Sequence, residues 1–155
     1  MIIICAENIS KLKDEFMDEI EFKIFRKLES GTFENADTIK YKEKTEKNSV
    51  SWSKISRINL VGQFGELCRF HLRYFTIDPG GYSSFEKHKH IHAVICESGI
   101  GLALLSDKWY ELNAGDIVYI GCDVAHQLRC KEDSKTPFSF FCIVDSERDK
   151  PTILE

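Results

Sequence analysis

The sequence predicts an all-β domain, a sandwich or a closed barrel, on three observations. From Trp52 onward, short runs of β-branched and aromatic residues recur at roughly 8 to 12 residue spacing. Turn-forming groups separate the runs, and no helical stretch intervenes that would build a parallel α/β sheet. The runs are ISRINLV, CRFHLRYFTI, HAVICE, LALL, KWYEL, IVYI, AHQLRC and FSFFCIV; the separators are DPGG, SGIG, SD, NAGD, GCD and KEDSKTP. They read as a meander of seven or so strands.

The chain before Trp52 has a different texture. Ile9, Leu12, Phe16 and Ile20, with Ile24 as a candidate continuation, recur at three- and four-residue steps, which favours an amphipathic helix opening near Asn8 or Ser10. The second half, EIEFKIFRKL, also alternates by twos, so a strand from Ile20 to Leu28 competes with that helix. ENADTIKYKEKTEKNSV is charged and poor in large apolar side chains, so it reads as an exposed loop or linker. The expected organisation is an N-terminal extension over 1–48, packing on the barrel or swapping to a second copy, and a barrel over 49–155.

Composition narrows the setting. The 155 residues suit one domain, and 43% apolar with 30% charged residues is globular composition. No run approaches the roughly 20 apolar residues of a membrane span, and MIIICAENIS lacks a basic stretch and a long apolar segment, so the expectation is a cytoplasmic protein with no membrane partner. A net charge of -4, with lysines and arginines interleaved among acids, gives no basic field for phosphates; nucleic acid is not an expected partner. The six cysteines form no CxxC pair and sit mostly in apolar runs, where a reduced thiol packs as a small hydrophobe.

The chemistry-bearing stretch is FEKHKHIHAVICESG, in which Glu86, His88, His90 and His92 occupy every second position. On a straight strand rising about 3.3 Å per residue, Glu86 and His92 would stand roughly 20 Å apart, too far to share an ion that each must approach within about 2.2 Å. A shared site therefore needs a bend between 88 and 92 and a further ligand from elsewhere. His126, in GDIVYIGCDVAHQL, supplies it. A bend after 90 gives His88, His90, His92 and His126 with Glu86 behind them; an earlier bend leaves His90 outside the ligand set or facing substrate.

These residues resemble the two motifs of the cupin superfamily, G(X)5HXH(X)3,4E(X)6G and G(X)5PXG(X)2H(X)3N. With Gly99 as the closing glycine, His92 falls at the usual Glu position and Glu86 and His88 at the usual HXH pair, so two ligand types have exchanged places. In the second motif Gly115 aligns, Gly121 stands at the Pro position, Asp123 at the Gly position, His126 at the His and Cys130 at the Asn. Asp123 is acceptable there because Asp tolerates left-handed backbone better than most residues. RFHLRYFTIDPGGYSSFEKHKH looks like the strand and Pro-Gly turn before the first motif in small single-domain bacterial-type cupins, and the resemblance spans about residues 52–145.

The resemblance implies a cupin jelly-roll barrel, a metal set of Glu86, His88, His92 and His126 with His90 as alternative or supporting residue, and a homodimer. Three imidazoles and a carboxylate suit a divalent Fe, Mn, Ni, Co or Zn ion. Two function classes stay open: a metal-dependent enzyme acting on a small oxygenated molecule, of oxygenase, decarboxylase or isomerase type, and a non-catalytic cupin that binds a small ligand as sensor or carrier. No residue is assigned a catalytic role. His71, alternating with Arg69 and Arg73, reads as exposed or at an edge; Trp52, Trp109, Tyr110, Phe138, Phe140 and Phe141 read as core and barrel lining; Glu97 reads as solvated and Asp116 as capping its own turn.

Overall fold

The computed structural model describes residues 22–43 and 51–154. Its eleven strands are β1 Thr38–Lys40, β2 Ser53–Val61, β3 Phe70–Tyr82, β4 Glu86–Lys87, β5 His92–Ser98, β6 Gly101–Leu105, β7 Lys108–Leu112, β8 Ile117–Ile120, β9 His126–Cys130, β10 Phe138–Asp145 and β11 Thr152–Ile153. All pair antiparallel in one rolled sheet ordered β11-β4-β9-β3-β10-β5-β8, with β2 and then β1 added on β3 and the β6–β7 hairpin added on β9. Among the described residues no helix is long and apolar enough to cross a membrane.

Alternation decides which side chains fill the interior, because residues two apart on a strand share a face. Ile55, Phe75, Ile77, Val94, Cys96, Leu128, Phe138 and Phe140 enter one inner core, with Ile77 and Phe138 fully buried. Each large apolar side chain so buried contributes about 1.5–3 kcal/mol. The intervening residues of β2 and β3 cover a second, outer core: Ile58, Leu60 and Tyr74 pack with Phe33, against which Phe25, Ala36 and Phe141 rest. Phe33 meets Tyr74 edge-on with centroids 5.1 Å apart. The central strands are thus buried on both faces, the outer one by residues 25–36.

Several expectations change. The helix over residues 9–20 lies outside the described residues. The competing strand to Leu28 does not form in its described part: residues 22–28 contribute one isolated bridge, Lys27 to Phe33, and Phe22 and Ile24 are exposed. Part of the expected linker is structural instead, since Thr38–Lys40 pairs with Ile58 to Ser56 and Tyr41 joins the inner core edge-on to Trp52. Charge at positions 40, 42 and 43 masked one inward aromatic. DPGG continues β3 rather than ending it; Lys54 and Gly80, both at positive φ, absorb the irregularity where β2 slips register against β3. Trp109 and Tyr110 are exposed on β7, because that hairpin extends beyond the roll. Asp123 adopts φ 59°, the left-handed backbone expected of it, and Asp116 accepts the Asn113 amide at 2.7 Å.

Candidate metal centre

The stretch from 86 to 92 is two strands with a bend between them. β4 ends at Lys87 and β5 begins at His92, while Lys89 and His90 form the bend. Asp149 holds it: its carboxylate accepts the amides of Lys89 and His90 at 2.9 to 3.1 Å and the His90 ring Nδ1 at 2.7 Å. Both strands thereby turn inward, so the His88 and His92 rings lie 4.7 Å apart and the His126 ring stands 4.8 and 5.3 Å from them. His126 arrives on β9, whose first residue pairs across the sheet with Glu86.

Each imidazole is oriented by its other nitrogen. Nδ1 of His88 donates to the His90 carbonyl at 2.8 Å, and Nδ1 of His126 to the Val124 carbonyl at 2.8 Å, which leaves a lone pair on each Nε2. Nδ1 of His92 lies 3.2 Å from Cys142 Sγ, and its Nε2 faces the lone pair of His88, so the one proton of a neutral His92 ring sits either toward the sulfur or toward His88. The Nε2 atoms of His88 and His92 are 3.0 Å apart. Burial keeps the rings uncharged: it pushes His92 down to about 2, reinforced by His126 and Arg73, and holds His88 and His126 below the usual imidazole range.

At that distance one proton shared between the two nitrogens, or one cation held by both, satisfies the pair. Two nitrogens each about 2.1 Å from an ion and at right angles around it are about 3.0 Å apart, so the spacing and the deprotonated state both fit a divalent ion. His88, His92 and His126 present ligand atoms all within 4.8 Å of one another.

Glu86 stands beside this group and outside that radius. Its Oε2 accepts Ser84 Oγ at 2.9 Å and Lys42 Nζ, and Ser84 Oγ lies 3.0 Å from the Tyr41 hydroxyl. His90 stacks flat on His88, centroids 3.6 Å apart, and turns toward Asp149. The pair His88 and His90 with Asp149 forms a second group of potential ligand atoms that shares His88 with the first.

A cavity of about 140 Å³ opens over the histidines. It includes residues with no assigned role in the sequence: Lys42, Arg57, Arg73, Arg148 and Asp149. The overall charge of -4 hid this local gathering of cations. Alternation carried the missing signal, since Arg73 shares its face with Phe75 and Ile77, and Arg57 with Ile55. His71 stays outside the cavity, half-buried, accepting Arg148 Nη1 at 2.7 Å. Glu97 is not simply solvated: Lys27 pairs with it at 2.6 Å and the Tyr74 hydroxyl donates to it.

Comparison with known proteins gives concordant results. Residues 73–144 match the family described as Cupin domain. The chain is 31% identical over 137 residues to a protein of Rhodospirillum rubrum named 1-methylthio-D-xylulose 5-phosphate methylsulfurylase, covering 88% of this chain and 83% of that one. Among solved structures, a cupin 2 conserved barrel domain protein from Rhodopseudomonas palustris superposes with TM-score 0.74 at 28% identity, covering 86% of this chain and 87% of that one. A cupin-2 domain from Rhodospirillum rubrum superposes with TM-score 0.67 at 32% identity, covering 77% and 76%.

Proposed function

The chain belongs to the cupin family, and from that premise we propose that it is a metal-dependent enzyme acting on a small oxygenated molecule. The observation that carries the proposal is the convergence of three buried imidazoles whose ligand atoms all lie within 4.8 Å of one another. His88, His92 and His126 would hold a divalent Fe, Mn, Ni, Co or Zn ion, with Glu86 as fourth ligand. The ion would supply Lewis acidity to a substrate oxygen. The methylsulfurylase of Rhodospirillum rubrum, named for a substituted xylulose phosphate, supports a substrate of polyoxygenated type.

The chain's own groups have definable tasks. The carbonyls of His90 and Val124 fix two rings in the tautomer a metal needs. Val94, Ile120 and Phe140 wall the cavity and limit water around the reacting atoms. Lys42 Nζ, bonded to Glu86 and to Ser84, holds a proton at the cavity edge.

Metal analysis of protein purified without an affinity tag tests this reading. It expects near-stoichiometric metal in the wild type, loss in His126→Ala and Glu86→Ala, and turnover of polyoxygenated substrates that stops on chelation. Metal retained in Glu86→Ala would remove Glu86 from the ligand set and leave the three histidines to hold the ion. A second reading, a ligand-binding module without turnover, draws on the prior engagement of both cavity carboxylates, Glu86 by Lys42 and Asp149 by His90. Under it, chelation changes ligand affinity and no substrate is consumed. We also propose a homodimer: β8 ends the sheet with Ile117 and Tyr119 exposed, and solution sizing should give twice the mass of one chain.

A further inference from the structure

The cavity holds more positive charge than its proposed metal site uses. Four cations line it, Lys42, Arg57, Arg73 and Arg148, against two carboxylates, Glu86 and Asp149. Lys42 is taken by Glu86, and Asp149 by His90 and two backbone amides. Among the described residues no carboxylate pairs with any of the three arginines.

Their placement follows from the sheet. Arg57 lies directly across from Phe75, and Arg73 across from Asn59 on one side and Cys142 on the other. Arg57 and Arg73 are therefore diagonal neighbours on the inner face, close enough for their side chains to meet. The Nε atoms of both are buried and lack a hydrogen-bond partner among the described residues. Arg148 reaches the same cavity from the segment joining β10 to β11, which is pinned by Asp149 at the 89–90 bend and by β11 pairing with β4. Burial, with Arg73 and Arg148 as charged neighbours, depresses Arg57 below the ordinary guanidinium range. Uncompensated like charges in one partly buried space destabilise the unliganded fold, and a buried donor without an acceptor adds to that cost.

We propose that Arg57, Arg73 and Arg148 form a subsite for the phosphate monoester of the substrate, next to the three histidines. An excess of two positive charges matches a dianion, and planar guanidinium forks match the oxygens of phosphate. Arg73 Nη2 contacts Cys142 Sγ at 3.5 Å, and that sulfur touches the Nδ1 side of His92, so the subsite lies behind the ring whose other edge faces His88. One small molecule thus places a phosphate among the arginines and its oxygenated end at the histidines. This rests on reading the cavity as a substrate site.

The test is the binding of inorganic phosphate to the full chain, by titration calorimetry and by thermal shift at constant ionic strength, before and after metal chelation. The expected result is saturable binding that survives chelation and persists in His126→Ala. Arg57→Gln and Arg73→Gln should each weaken it by about 10- to 100-fold. Both variants should melt no lower than wild type without phosphate, because each removes a like-charge repulsion; a merely structural arginine would lower the melting point. Four outcomes overturn the proposal: a phosphate effect no greater than that of chloride, equal affinity in wild type and both variants, acetate binding as tightly as phosphate, or binding lost on chelation and in His126→Ala. Phosphate binding in a protein that takes up no metal would leave the subsite standing and remove the metal reading alone.

Discussion

The two ends of the barrel interior are built on the same strands and serve opposite purposes. Along β3 the inward residues run Ile77, Phe75, Arg73; along β10, Phe138, Phe140, Cys142; along β5, Cys96, Val94, His92; along β9, Cys130, Leu128, His126. At one end the inward positions are apolar side chains and packed thiols. At the other, β3, β5 and β9 present a guanidinium and two imidazoles, and on β10 Cys142 contacts both Arg73 and His92 before Val144 closes the run. The fold holds its chemistry by anchoring each strand at the packed end and letting polar groups face one another at the open end, where the Nε atoms of Arg57 and Arg73 keep no protein partner among the described residues.

This contrast gives a ranked set of tests. Phe138→Ala, at the packed end, should cost about 3–5 kcal/mol in denaturant unfolding, since Phe138 is fully buried and its ring fills the space where a Gly101 side chain would stand. His126→Ala, at the open end, should weaken metal binding by at least about 100-fold, more than changes behind a ligand cause. Its metal-free form should melt close to metal-free wild type, as it loses one of three converging imidazoles and no packed apolar side chain; a drop as large as that of Phe138→Ala would erase the distinction between the ends.

Away from both ends, Glu66 tests the loop between β2 and β3. Burial pushes its carboxyl up, but Lys23 and the amides of Phe64 and Gly62 outweigh that and hold it at about 2. A depressed carboxylate contributes stability above its unfolded value and loses it as pH falls toward the folded one. Protection of the amides at 62–66, taken relative to their intrinsic exchange rates, should therefore fall between about pH 4.5 and 2, an effect that Glu66→Gln removes. The smallest effect concerns thiols. Burial pushes Cys96 up to about 11, so alkylation near neutral pH should reach exposed Cys122 well before Cys96.

The barrel was legible because alternating runs and turn residues are local signals, and all eight predicted runs correspond to β2, β3 and β5 to β10. The convergence of His88, His92 and His126 was legible as well, since a metal reading of alternate residues demanded a bend between 88 and 92. Nonlocal neighbours were not. Asp149 grips the bend from 59 positions away, and Lys42 meets Glu86 across 44; neither distance is written in spacing. Arg57 and Arg73 were overlooked because charge alone suggested solvent, although their alternation with Ile55 and Phe75 pointed inward. The separation of Glu86 from the imidazoles depends on Lys42 and Ser84, partners that no motif names.

The most direct test of the account is X-ray absorption at the edge of the bound metal in protein purified without a tag. The expected spectrum has a nitrogen and oxygen shell at about 2.0–2.2 Å with the outer-shell scattering of three imidazoles, and no sulfur. A sulfur shell near 2.3 Å, which would bring Cys142 onto the metal, or a bound metal without imidazole scattering, would contradict it.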